Sequence, residues 1–168
     1  MMKHEVITKQ NSSKMCFVCG INNKLGLNAS FYEMDNGELV AIFNPKDYHQ
    51  GYPGRMHGGI ASTILDETVG RTILIKDKDV WGVTIDLSLK FKKPIPLNET
   101  VKVVAKLTSE NSRFFEGEGK IVLENGDVAV TAKGKYFKLS LSKITDKNFT
   151  EDEWFLHHHS HEPKEIDI

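Results

Sequence analysis

Four residues within ten positions carry types and spacing that could act on a carbonyl group. His57, Gly58 and Gly59 stand together at the end of a loop broken by Gly51, Pro53 and Gly54, and Asp66 follows inside an otherwise apolar stretch. Two glycines at the start of a helix expose backbone N–H groups, because no Cβ stands in the way. With the helix dipole behind them, such N–H groups can stabilise a developing oxyanion. Close helix-to-sheet packing is the other use of the same glycines. A carboxylate among apolar residues is costly to ionise, so its proton affinity rises. Those properties suit a general base or nucleophile. Glu67 is adjacent and points about 100° away around a helix, so one of the two acids can simply face solvent.

Distance then sets a constraint. Asp66 lies eight residues after Gly58, which is about 12 Å along a helix axis. One small carbonyl cannot touch both on the same helix. The two groups either serve different purposes or meet across a two-fold axis, where a second copy supplies one of them.

The elements that must position these residues are legible from hydrophobic period. Ile60, Ala61, Ile64, Leu65, Thr68, Val69 and Ile73 recur at helical spacing, so one helix of about five turns is expected from Gly58 to about Lys76. Before it, "LNASFYEM" and "ELVAIFN" flank Asn36-Gly37 and predict a hairpin. After it come "VWGVTIDLSLKF", "TVKVVAKLTSE", "RFFEGEGKIVLE" and, beyond the turn at Asn125-Gly126, "VAVTAKGKYFKL". Their β-branched and aromatic residues fit strands. The expected architecture is α+β: an antiparallel sheet of about six strands with one long helix. Residues 1–24 read as irregular, 25–141 as the domain and 142–168 as a polar tail.

Composition narrows the function classes. A chain of 168 residues supports one domain with a proper core. Net charge is −1, which gives no global field for nucleic acid or anionic lipid. No run of 18 apolar residues predicts a membrane span, and "MMKHEVITKQNSSK" lacks the apolar core of a secretory signal. With two cysteines only, three positions apart, the expected compartment is the reducing cytoplasm. Cys16-Phe-Val-Cys19 has the spacing of half a zinc site, but a second pair is missing. A structural or incidental thiol pair is the expectation, and the flanking sequence suggests no thioredoxin-like junction. "LHHHSHEP", with histidines from His157 to His161, reads as a polar tail.

Four segments together resemble the hotdog-fold acyl-CoA thioesterases, in the PaaI-like branch with the His-Gly-Gly signature. They are "CFVCGINNKLGLNASFY", "GYPGRMHGGIASTILDE", "GVTIDLSLKFKKPIPLNETVKVVAKL" and "EGKIVLENGDVAVTAKGKYF", and the likeness runs from about residue 16 to 139. The resemblance implies a sheet wrapped around the long helix, and a dimer or dimer of dimers with sites at the subunit interface. It implies an acyl-CoA substrate hydrolysed without metal or cofactor. Gly58 would supply the oxyanion N–H, with Gly59 beside it. His57 would shape the helix start and help bind the thioester carbonyl. Asp66 of the other subunit would be general base or nucleophile, and Thr84 would position the water. Glu67 keeps open an alternative acid one position on. Where relatives carry a carbonyl-binding Asn, this chain has Gly51 beside Gln50 and His49. Lys90, Lys92 and Arg113 are candidates for the phosphates of CoA. A non-catalytic acyl-CoA sensor and a dehydratase are the rival readings on this fold. The aromatic residues Phe17, Tyr48, Tyr52, Trp81 and Phe114 would set pocket depth, and the sequence does not place them.

Overall fold

The computed structural model describes residues 2–146 and 153–168. The N-terminal half runs through β1 (Lys3–Lys9), β2 (Ser12–Ser13), β3 (Ser30–Met34), β4 (Leu39–Phe43), β5 (Gln50–Tyr52), β6 (Arg55–Met56) and α1 (Gly58–Gly70). The rest comprises β7 (Trp81–Phe91), β8 (Val101–Glu110), β9 (Phe114–Val122), β10 (Val128–Leu139), β11 (Trp154–Phe155) and β12 (Glu165–Asp167). One eight-stranded sheet has the order β12-β1-β3-β4-β8-β9-β10-β7, with every neighbouring pair antiparallel. This is the hotdog architecture, a large antiparallel sheet against one long helix. No helix of the described residues is long and apolar enough to cross a membrane.

The hairpins fall where the turn residues predicted. Gly37 and Gly126 both take positive φ, +80° and +87°, which glycine adopts without a Cβ penalty. The helix buries Ala61, Ile64, Leu65, Thr68 and Val69 against the sheet. They join Val103, Ile121, Val130 and Ala132 in the core. Gly117 and Gly119 of β9 make the floor on which the helix sits. A Cβ on either would come within 3 Å of Val69, at 2.8 and 2.9 Å. The helix could not pack this close on a bulkier strand.

Four features depart from the sequence reading. The regular helix ends at Gly70 and continues as a 3₁₀ turn, Arg71–Ile75, so the apolar period extends past the α-helix. The sheet has eight strands rather than about six, because Lys3–Lys9 and Glu165–Asp167 join its edge. His4 pairs with Ile166 there, and Val6 with Met34. The C-terminal segment, expected to be a polar tail, is tied down: Glu162 accepts from Lys9 Nζ at 2.7 Å and from the Tyr32 hydroxyl at 2.7 Å, and His159 Nε2 bonds Ser30. Finally, the register between β7 and β10 shifts: Tyr136 pairs with Thr84 and Lys135 with Asp86, leaving Ile85 unopposed. This bulge puts Thr84 and the odd-numbered Leu87 and Leu89 on the same, helix-facing side. It explains why β7 alternates only in part.

Candidate functional site

Helix α1 carries one polar group at its start and another about two turns further on. At its start, His57 is the N-cap, and its Nδ1 accepts from Gly59 N–H at 2.8 Å. A neutral imidazole that accepts at Nδ1 carries its proton on Nε2. Gly59 N–H is thereby consumed by the cap, while Gly58 N–H has no acceptor among the described residues. Gly58 backs onto β7: a Cβ there would sit 3.5 Å from the Phe91 ring. So of the two glycines, Gly58 is the one whose N–H stays open to a ligand.

Two turns later Asp66 is half-buried at the side of the helix. Its Oδ1 accepts from Thr84 Oγ1 at 2.9 Å and from the Tyr136 hydroxyl at 3.1 Å, and Oδ2 lies 3.2 Å from Thr84 Oγ1. Tyr136 also donates to the Asp66 backbone carbonyl at 3.0 Å. Burial raises the Asp66 carboxyl above its usual value, the two hydroxyls pull it partly back, and the neighbouring Glu67 charge adds to the rise. The group opens on a cavity of about 130 Å³ lined in part by Gly70, Val80, Trp81, Gly82 and Trp154. A proton-hungry carboxylate, held in one orientation beside a hydroxyl and a small void, can activate a water.

Glu67 has a different place. It binds Arg71 Nε at 2.8 Å, four residues on. Arg71 is only 5% exposed. It also donates to Asn11 O and to Cys19 Sγ, and stacks over Phe31 and Trp154. Both acids line the cavity; Glu67 is the counter-ion of a buried guanidinium, whereas the Asp66 carboxylate is held by two neutral hydroxyls.

The structure distributes the other sequence candidates. His49 is buried and holds the loop: Nδ1 accepts from Lys46 N–H and Nε2 donates to Leu25 O, so both nitrogens are used inside the fold. Gln50 accepts from Gly54 N–H and closes the β5–β6 turn. Lys90 lies on the opposite face of the sheet from α1, in a groove with Lys106, Lys120 and Lys133. Lys92 follows the end of β7, and Arg113 is exposed in the turn between β8 and β9. None of these five is gathered around Asp66. Tyr136 was missed. In sequence it reads as one more core aromatic of β10, and only its hydroxyl, aimed at Asp66, marks it out. Cys16, Cys19 and Glu67 bring their donor atoms within 4.8 Å of one another, and the Arg71 guanidinium already supplies a cation at that cluster.

Comparison with known proteins bears on the fold and the family. The Thioesterase superfamily model matches residues 53–130, the span from the loop before His57 to the first residues of β10. Mouse acyl-coenzyme A thioesterase THEM4 is 32% identical over 106 residues, which are 62% of this chain and 45% of that protein. The chain thus spans less than half of that relative's length. A crystal structure of a thioesterase superfamily protein aligns with TM-score 0.67 at 28% identity, covering 73% of this chain and 59% of that one. The PaaI protein of Escherichia coli aligns with TM-score 0.61 at 16% identity, over 68% and 81%. Residues 53–130 are thus similar to the Thioesterase superfamily model, and the fold is the one that the solved thioesterase-superfamily structures share.

Proposed function

We propose that this protein hydrolyses an acyl-CoA thioester, with Asp66 of one subunit and the Gly58 N–H of a second copy forming each site. The observation that carries the reading is the Asp66–Thr84–Tyr136 group, held at a cavity on the same helix whose start leaves the Gly58 N–H open. The distance between the two ends supports a second copy, and so does the edge of β7, which among the described residues has a neighbouring strand on one side only. That strand is outermost in the sheet, and Val83, Ile85 and Phe91 on it are 38%, 52% and 57% exposed. An unpaired apolar edge favours strand addition. Antiparallel pairing of β7 with its own copy, about a two-fold near Leu87 and Ser88, sets Thr84 opposite the partner's Phe91. Gly58 packs on Phe91. The pairing therefore carries the partner's open N–H toward Asp66.

In the step this supports, Asp66 takes a proton from a water held with Thr84. The water oxygen attacks the thioester carbonyl carbon. The carbonyl oxygen becomes an oxyanion and receives hydrogen bonds from the partner's Gly58 N–H and from the partner's His57 Nε2–H. Collapse expels the CoA thiolate, which takes the proton back from Asp66. Direct attack by the Asp66 carboxylate, through an anhydride, is the nucleophilic form of the same arrangement.

The test is hydrolysis of short, medium, long and aromatic acyl-CoAs by wild type and Asp66→Asn. Asn can still accept from Thr84 and Tyr136, so the fold is kept. A positioned base contributes roughly 10²–10⁴-fold, so a loss below about tenfold removes Asp66 from this role. Tight acyl-CoA binding without turnover in wild type would instead make the domain a sensor.

A further inference from the structure

The buried side of the candidate site ends on a pair of thiols that the hydrolytic reading leaves without a role. Cys16 and Cys19 close a tight turn in which Gly20 N–H bonds Cys16 O at 2.8 Å. A Cβ on Gly20 would sit 2.2 Å from that oxygen, so the turn requires glycine there. Backbone N–H groups point at both sulfurs: Val18 N–H at Cys16 Sγ and Ser13 N–H at Cys19 Sγ, each at 3.3 Å. Cys19 is 1% exposed and Cys16 only half-buried. Arg71 Nη2 donates to Cys19 Sγ at 3.0 Å, while its Nε holds Glu67, the neighbour of Asp66. Arg71 and Trp154 also line the Asp66 cavity.

We propose that Cys16 and Cys19 are a reversible dithiol–disulfide pair whose oxidation withdraws Cys19 from Arg71 and lowers turnover at the Asp66 site. The effect on turnover rests on the thioesterase reading; the disulfide does not. The two thiols divide the labour. A hydrogen bond from the Cys19 thiol, aided by backbone N–H groups, draws Cys16 down to about 6, while Cys19 stays protonated. The accessible member is thus a thiolate at neutral pH and the buried one its resolving partner. With a low-molecular-weight disulfide as oxidant, Cys16 thiolate attacks one sulfur and expels a thiolate, giving a mixed disulfide. Cys19 then loses its proton to the departing thiolate and attacks Cys16 Sγ. Two small thiols leave, and one protein disulfide has replaced one small disulfide. Residues three apart in a helical turn have Cβ atoms about 5–6 Å apart, whereas a disulfide needs roughly 3.5–4.5 Å. Closure therefore requires the two Cβ atoms to approach by about 1–2 Å, a shift that bears on the Arg71 contact at Cys19 Sγ.

The experiment treats the full chain with glutathione disulfide at pH 7 and reads three signals. Intact mass after iodoacetamide in denaturant counts free thiols without ambiguity, since the chain has two cysteines. Tryptophan emission reports the Arg71–Trp154 stack independently of activity. Thioester absorbance follows turnover without a thiol dye. Expected are loss of both alkylation sites, a changed emission, and a three- to tenfold fall in turnover that dithiothreitol reverses. Cys16→Ser should keep wild-type turnover and ignore the oxidant; Cys19→Ser should stop at the mixed disulfide. Two free thiols after treatment, a stoichiometric zinc ion that protects them, or a disulfide formed with emission and turnover unchanged would each overturn the proposal. If reduced wild type hydrolyses no thioester, the mass and emission signals still decide the redox pair, and only the hydrolytic reading falls.

Discussion

Tyr136→Phe tests whether the Asp66 group works as the geometry says. The substitution removes one hydroxyl and keeps the ring, which stacks on Phe115 at 4.9 Å and 13°. The lost hydroxyl shares its one proton between the Asp66 carboxylate at 3.1 Å and the Asp66 carbonyl at 3.0 Å. A hydrogen bond to a charged acceptor contributes about 1.5–3 kcal/mol. One pH unit corresponds to about 1.36 kcal/mol between protonation states. Thr84 still binds the carboxylate, and a water can enter from the cavity, so the lower end of that range applies. The acid limb of kcat/KM should therefore move up by about one pH unit. The direction is fixed: the hydroxyl stabilises the ionised form, and its removal adds to the rise that burial already causes. Turnover on the high-pH plateau should change by less than about threefold. The carbonyl left without its donor should cost about 1–2 kcal/mol, a Tm fall of several degrees for a domain of this size. The assay is the pH profile of thioester hydrolysis for both proteins, with urea unfolding alongside. A uniform loss at every pH, with the limb unmoved, would show that Tyr136 only packs, and the account of Asp66 as an orientated base would fail with it.

Three other outcomes follow from the same structure. Asp66→Asn should be at least as stable as wild type at pH 7 in thermal unfolding: a carboxylate with a raised folded value is most favourable below its unfolded value and loses that advantage as pH rises through the folded one. A clear fall in Tm would mean that Asp66 is a structural group. Gly58→Ala should fold normally, because the new methyl meets only the Phe91 ring at ordinary contact distance, 3.5 Å. It should nevertheless lower kcat by crowding the approach to the N–H, and unchanged turnover would exclude that approach. Glu162 is held down to about 2: burial opposes this, but the bonds from Lys9, His159 N–H and Tyr32 prevail. Its contribution is present above the unfolded value near 4.5 and is lost as pH falls toward 2. The urea midpoints of wild type and Glu162→Gln should therefore differ at pH 6 and converge near pH 2, and a constant gap would refute the link.

Much of this protein was decided locally. The Asn-Gly turns fixed both hairpins, because only a residue at ease with positive φ closes so short a loop. The helix was legible because its buried residues recur every three or four positions. The spacing from His57-Gly58-Gly59 to Asp66 placed an open N–H and an acid at two ends of one helix, too far apart for a single small carbonyl. Other features depended on residues far away in sequence. Nothing near Lys3–Lys9 announces a strand, because its partners lie at Tyr32–Met34 and Glu165–Asp167, and backbone pairing carries no side-chain signature at a polar edge. The different surroundings of the adjacent acids come from Arg71, which is buried against Phe31 and Trp154 and pairs with Glu67, not with Asp66. The bulge at Ile85 turned Thr84 toward the helix, and β10 brought Tyr136 to Asp66 from 70 positions away. Sequence determined the elements because their causes are short-range. The tertiary structure decided which polar groups meet, because a hydrogen bond exists only where register and packing have already put two atoms within about 3 Å.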